Sequence, residues 1–115
     1  MSTCVPYAVH VLTGLPFESV MEKAVALGWS EEGLTDIGGW WLLKQCGCEV
    51  TPIHRYENRT TFRAAVQGLD RSRSYVLATK DHWIAVRNGE VLDRASTPPG
   101  ERIRTRIELL GHSLG

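Results

Sequence analysis

The dipeptide Asn88-Gly89, set between "HWIAVR" and "EVLDRA", constrains this chain more tightly than any other feature. A two-residue type I′ turn needs positive φ at both central positions, and Asn followed by Gly adopts it with the least strain. The flanking runs are rich in β-branched and aromatic residues, so the segment reads as a hairpin whose register follows from its turn. Arg87 then faces Glu90, Val86 faces Val91, Ala85 faces Leu92, Ile84 faces Asp93 and His82 faces Ala95. Strict alternation puts His82, Ile84, Val86, Val91, Asp93 and Ala95 on one face, with His82 and Asp93 diagonal neighbours about 7–8 Å apart at the backbone. An imidazole beside a carboxylate has its tautomer set and its cation favoured, which is the base and orienter that a nucleophile requires.

The hairpin belongs to a sheet-forming second half. "SYVLAT" precedes it, and "RIRTRIEL" follows the loop "STPPGE". In that last run Arg102, Arg104, Arg106 and Glu108 alternate with Ile103, Thr105, Ile107 and Leu109, the period of a half-buried strand. The arginines read as a solvated strand face that discourages edge pairing. The first half is helical. Thr3 is placed to cap a helix from Cys4 to Leu12, with Pro6 tolerated in its first turn and Gly14 as its stop. Pro16 opens a second helix, carried by Phe17, Val20, Met21, Ala24 and Leu27. Thr35 caps a third through "DIGGWWLLKQ", in which Gly38 and Gly39 weaken the first turns. "CEVTPI" reads as a short strand, and Thr60 or Thr61 caps a fourth helix bearing Phe62, Ala65, Val66 and Leu69. The expectation is one α+β domain over residues 1–115, with N-terminal helices packed on an antiparallel sheet of about four strands.

The candidate nucleophile is Cys4. A thiol in the first turn of a helix lies at the positive end of the dipole, where its thiolate is favoured. An isolated cysteine is commonly a small buried hydrophobe, and the His82/Asp93 pair is what distinguishes this one. Asp81 is also adjacent to His82, but alternation turns it to the opposite face. Cys46 and Cys48 with His54 invite a zinc reading, yet Cys-x-Cys is not the spacing of common structural sites, and no metal or other cofactor is expected. Three cysteines are an odd count that argues against a disulfide framework. Thirteen basic and thirteen acidic residues cancel, so charge gives no reason to expect nucleic acid. No segment has the length of a membrane span or the pattern of a signal peptide, and a cytoplasmic location without membrane association is expected.

Together "CVPYAVHVLTGLPFESV", "GGWWLLKQCGCEV" and "DHWIAVRNGEVLDRAS" give the order Cys, His, Asp on a helical half followed by a sheet. This layout resembles papain-like cysteine peptidases, in particular small standalone members such as those found among bacteriophage proteins. The resemblance implies Cys4 as nucleophile, His82 as general base and Asp93 as orienter, acting on a peptide, amide or isopeptide bond of a protein or peptide substrate. Members of the family commonly draw a second oxyanion donor from a glutamine shortly before the cysteine, and Met1, Ser2 and Thr3 stand there in this chain. The oxyanion would then rely on the Cys4 N–H, aided by Thr3, Ser2 or a more distant side chain such as Gln45. Trp40 and Trp41 are adjacent on a helix and cannot both face the core, which leaves one for a cleft or a partner surface. Trp83 reads as core. A second reading is kept open: a papain-like scaffold of weak or no activity that binds another protein, such as a phage factor engaging a host target.

Overall fold

The computed structural model describes residues 3–57 and 59–112, the last of these by its backbone alone. Three helices come first: α1 (Cys4–Thr13), α2 (Phe17–Ala26) and α3 (Asp36–Gln45). Strands β1 (Cys48–Val50) and β2 (His54–Arg55) and the short helix α4 (Phe62–Gln67) follow. Strands β3 (Ser74–Ala78), β4 (Trp83–Arg87), β5 (Glu90–Leu92) and β6 (Thr105–His112) complete an α+β chain.

The caps foreseen for α3 and α4 form. Thr35 Oγ1 accepts from the Gly38 N–H at 3.0 Å, and Thr61 Oγ1 accepts from the Ala64 N–H at 3.1 Å. Thr3 occupies the cap position of α1 but makes no capping bond: its backbone, at φ −106° and ψ 13°, is not extended, and its hydroxyl accepts from Arg94. Gly14 ends α1 with φ of 75°, and its N–H returns to the His10 carbonyl.

Among the described residues the sheet has six antiparallel strands rather than about four. Its order is β1-β6-β3-β4-β5, with β2 also paired to β6. The segment read as one strand from Cys48 to Ile53 pairs only through Val50, and His54 and Arg55 add a second short pairing. Both lie along β6, covering an edge that would otherwise be open. Helices α1 to α3 pack on one face of the sheet, where Val9, Val20, Leu42 and Leu43 are fully buried. Each such side chain contributes about 1.5–3 kcal/mol on burial. The other face is covered by α4, whose Phe62 and Ala65 meet Leu77, Ile84, Val86 and Ile103. Among the described residues no helix is long and apolar enough to cross a membrane.

The Asn88-Gly89 turn has φ of 50° and 83°, and it delivers the register Arg87–Glu90, Val86–Val91 and Ala85–Leu92. Pairing stops there. Trp83 and Ala85 face the α1 layer, while Ile84 and Val86 face α4.

Gly39 shows why α3 tolerates a residue that weakens helices. A Cβ there would lie 2.4 Å from the Trp83 ring and 2.9 Å from Val5. Gly39→Ala is therefore expected to destabilise the fold by about 1–3 kcal/mol, even though alanine is the better helix former by about 1 kcal/mol. Urea unfolding followed by tryptophan fluorescence measures it, and an unchanged or higher midpoint would contradict the close approach.

Candidate active site

Three elements converge on Cys4. It is the first residue of α1, and α1 lies across β4. The turn between β3 and β4 brings His82 beside it, with Thr79 holding that turn: its N–H donates to the His82 carbonyl at 2.8 Å and its hydroxyl accepts from the Asp81 N–H. Asp93 follows directly on β5 and accepts from His82 Nε2 through Oδ1 at 2.7 Å. With Nε2 engaged, Nδ1 is the ring nitrogen left for the thiol.

The contact arises because neither His82 nor Asp93 lies in the ladder. Strict alternation would have put His82 with Ile84 and Val86 on the α4 face, away from Cys4. His82 instead precedes Trp83, the first residue of β4, and Asp93 follows Leu92, the last of β5, so both are released from the pleat. The Ile84–Asp93 and His82–Ala95 pairings therefore do not form, yet the side chains of His82 and Asp93 meet.

Asp93 is anchored from three directions. Besides His82, its Oδ1 accepts from the Ala95 N–H at 3.1 Å and its Oδ2 from the Thr97 N–H at 2.8 Å. Its side chain is only 3% exposed. Burial works against its charge, but the bonds from Thr97, His82 and Ala95 win and hold the carboxyl down at about 2. His82 is pushed up to about 9, first by its hydrogen bond to Cys4 and then, against partial burial, by the bond and charge of Asp93. The Cys4 thiol is half-buried, which disfavours ionisation. The His82 hydrogen bond, the N–H groups of Trp83 and Val5, and the imidazolium charge outweigh this and lower it. A single backbone bond from Thr79 to His82 closes the turn ahead of the ladder, and the N–H of Trp83, the next residue, is engaged with the Cys4 sulfur. The Asp81 carbonyl lies 3.9 Å from Cys4 Sγ and accepts its S–H when the thiol is protonated.

Two clefts meet at the thiol, and Cys4, Asp81, His82 and Trp83 line both. The larger, about 740 Å³, runs between the start of α3 (Thr35, Asp36, Ile37), the loop carrying Ser30 and Glu32, and Ile53. The smaller, about 330 Å³, lies on the Asp93 side against Thr3, Tyr7, Arg94 and Ala95. Asp36 braces the wall: its carboxylate accepts from Trp83 Nε1 at 2.9 Å and from the Thr105 hydroxyl at 3.2 Å.

Gln45, Trp40 and Trp41 line neither cleft. The cleft uses the first turn of α3, and Gln45 lies nine residues beyond Asp36, about 13 Å along the helix. Trp40 is half-buried, with its indole N–H on the Thr51 carbonyl, and Trp41 is 50% exposed and stacks edge-on against it. Ser2 lies outside the described residues, and Thr3 remains at the rim of the smaller cleft. Missing from the sequence reading were the braces: the Ala95 and Thr97 amides, the Trp83 amide and Asp36. For the first two a signal existed, because Asp followed by a short polar segment favours bonds to amides ahead of it. Cys46 and Cys48 are buried and His54 is exposed on β2. Among the described residues no group of three His, Cys, Asp or Glu side chains is placed to hold a metal ion. Neither a family model, nor a curated protein, nor a solved structure matches the chain.

Proposed function

We propose that this chain is a cysteine-dependent hydrolase or acyl transferase of papain-like type, acting on a peptide, amide or isopeptide bond. The observation that carries the reading is the position of Cys4 beside a carboxylate-held imidazole, at the meeting point of two clefts. A strained or buried structural cysteine has no need of such a setting.

The chemistry follows from the charges. The Cys4 thiolate attacks the carbonyl carbon, and the carbonyl π electrons move to oxygen. The oxyanion meets the N-terminal end of α1, where the Cys4 N–H lacks an intrahelical acceptor, Pro6 has no N–H and the Val5 N–H is engaged with the sulfur. The His82 imidazolium gives its proton to the leaving nitrogen as the C–N bond breaks, leaving a thioester on Cys4. Neutral His82 then takes a proton from water, or from an acceptor amine, whose oxygen or nitrogen attacks the thioester and releases the thiolate. Asp93 keeps Nε2–H in place throughout, so that Nδ1 faces the reacting atoms.

Mass spectrometry on a mixed peptide library, together with an activated nitrophenyl ester, tests the proposal. Wild type is expected to form a transient acyl adduct on Cys4 and to cleave a subset of peptides. Cys4→Ala should lose at least about 10⁴-fold of that cleavage. The absence of both adduct and cleavage in the wild type would overturn the hydrolase reading. It would favour the protein-binding alternative, for which exposed Trp41 is the observed surface feature.

A further inference from the structure

The smaller cleft has a feature that hydrolysis alone does not require. The Arg94 guanidinium carbon lies over the Tyr7 ring, 3.9 Å from its centroid, and Nη2 donates to Thr3 Oγ1 at 2.9 Å. Arginine on a surface loop ordinarily samples many rotamers. Here a cation–π contact and a hydrogen bond hold the guanidinium in one orientation, with further N–H donors unassigned to Thr3. The anchor is Thr3, the residue immediately before the nucleophile. A group bound at Arg94 therefore sits within one or two residues of the carbonyl that Cys4 attacks.

The charges around this cleft agree in sign. The N-terminal end of α1 contributes partial positive charge, and His82 is a cation when the thiol is ionised. Of the two carboxylates that line the cleft, Asp93 is fully engaged by His82, Ala95 and Thr97. Asp81 is exposed to water, where its field is screened. The larger cleft differs: Glu32, Asp36 and Asp81 stand there against Arg55 and Lys80. We propose that the smaller cleft is a carboxylate-recognition subsite, in which the planar guanidinium of Arg94 selects substrates bearing a carboxylate one or two residues from the scissile bond. A fixed guanidinium offers paired N–H donors that match the two oxygens of a carboxylate, and a neutral amide cannot reproduce that pairing. The carboxylate is either a chain terminus or an Asp or Glu side chain. This inference rests on the proposal that Cys4 is the nucleophile.

Three alkylating probes test it. N-iodoacetyl-glycine carries a terminal carboxylate, N-iodoacetyl-aspartic α-amide carries a side-chain carboxylate, and N-iodoacetyl-glycinamide is neutral. In each case the Cys4 thiolate displaces iodide, and the rates are referred to those with a free small thiol. At least one acidic probe is expected to label Cys4 about tenfold faster than the neutral one, and which of them does so identifies the source. Arg94→Ala should remove about tenfold of that preference while leaving the neutral probe's rate within about twofold, which also reports an intact site. Arg94→Lys should restore only part, since the charge returns without the planar fork. Equal rates for all three probes in the wild type, or a preference that survives Arg94→Ala, would overturn the subsite. A neutral probe that labels Cys4 no faster than Cys46 and Cys48 would instead overturn the nucleophile on which it depends.

Discussion

At about pH 6, iodoacetamide is expected to alkylate Cys4 at least about a hundredfold faster than Cys46 or Cys48. The contrast has two sources that a single experiment separates. Cys46 and Cys48 are each 3% exposed, and burial raises both, Cys48 to about 11, where the charge of Cys46 adds to the effect. An ordinary thiol near 9 is ionised in only about one molecule per thousand at that pH, and a thiol near 11 in about one per hundred thousand. Cys4 lies on two clefts, and the imidazolium and two amides hold its pKa below the ordinary 9.0. In urea, where these groups disperse, the three cysteines should react at similar rates with ordinary thiol titrations. The native profile should rise to a plateau as Cys4 ionises, since the thiolate is the reacting form. Turnover should instead be bell-shaped, falling above about pH 9, where His82 loses the proton it delivers to the leaving nitrogen. A native Cys4 that titrates where the unfolded one does would remove the basis for a catalytic thiolate.

Much of what places these groups is local and legible in the sequence. Asn88-Gly89 dictates a turn, and three pairings follow from it. Thr35 and Thr61 cap the helices that follow them, and the alternation of Ile103, Thr105 and Ile107 with arginines correctly picks out buried residues, although β6 begins only at Thr105 and Ile103 packs under α4 while Ile107 joins the α1–α3 core. The limits are equally specific. Alternation holds only while a strand lasts; His82 precedes β4 and Asp93 follows β5, so the expectation that they share a face with Ile84 and Val86 does not hold. Their contact survives because it depends on two ends of neighbouring strands rather than on the pleat. Gln45, Trp40 and Trp41 fail as site residues for a different reason. Which end of α3 meets the cleft is set by how α1 to α3 pack, and no periodicity within α3 encodes it. Arg94 and Tyr7 are far apart along the chain, and their cation–π contact exists only once α1 crosses the sheet.

The second large effect concerns Asp93. Asp93→Ala removes the acceptor for His82 Nε2 and leaves the ring free to turn, so its Nδ1 no longer faces Cys4 in a fixed way. His82 loses part of what raises it. The Cys4 hydrogen bond, the first contribution, persists only as well as the ring is held. Cys4 alkylation near neutral pH is expected to fall on the order of tenfold, and the upper limb of the turnover profile to move down by roughly one pH unit. Asp81→Ala should change either quantity by less than about twofold, because the Asp81 atom near the sulfur is its backbone carbonyl, which the substitution keeps. Stability supplies an independent readout. The Asp93 carboxyl sits at about 2 in the folded protein against an ordinary 3.8, so its contribution is complete above about pH 4 and is lost as pH falls through 2. The Asp93→Ala protein should lack that acid-range loss, and Asp93→Asn, which retains one acceptor oxygen, should keep part of the turn at Ala95 and Thr97 and part of the thiol reactivity. Were Asp81→Ala to depress reactivity while Asp93→Ala left it intact, the carboxylate that orients His82 would be the wrong one, and the proton path assigned to this site would fail with it.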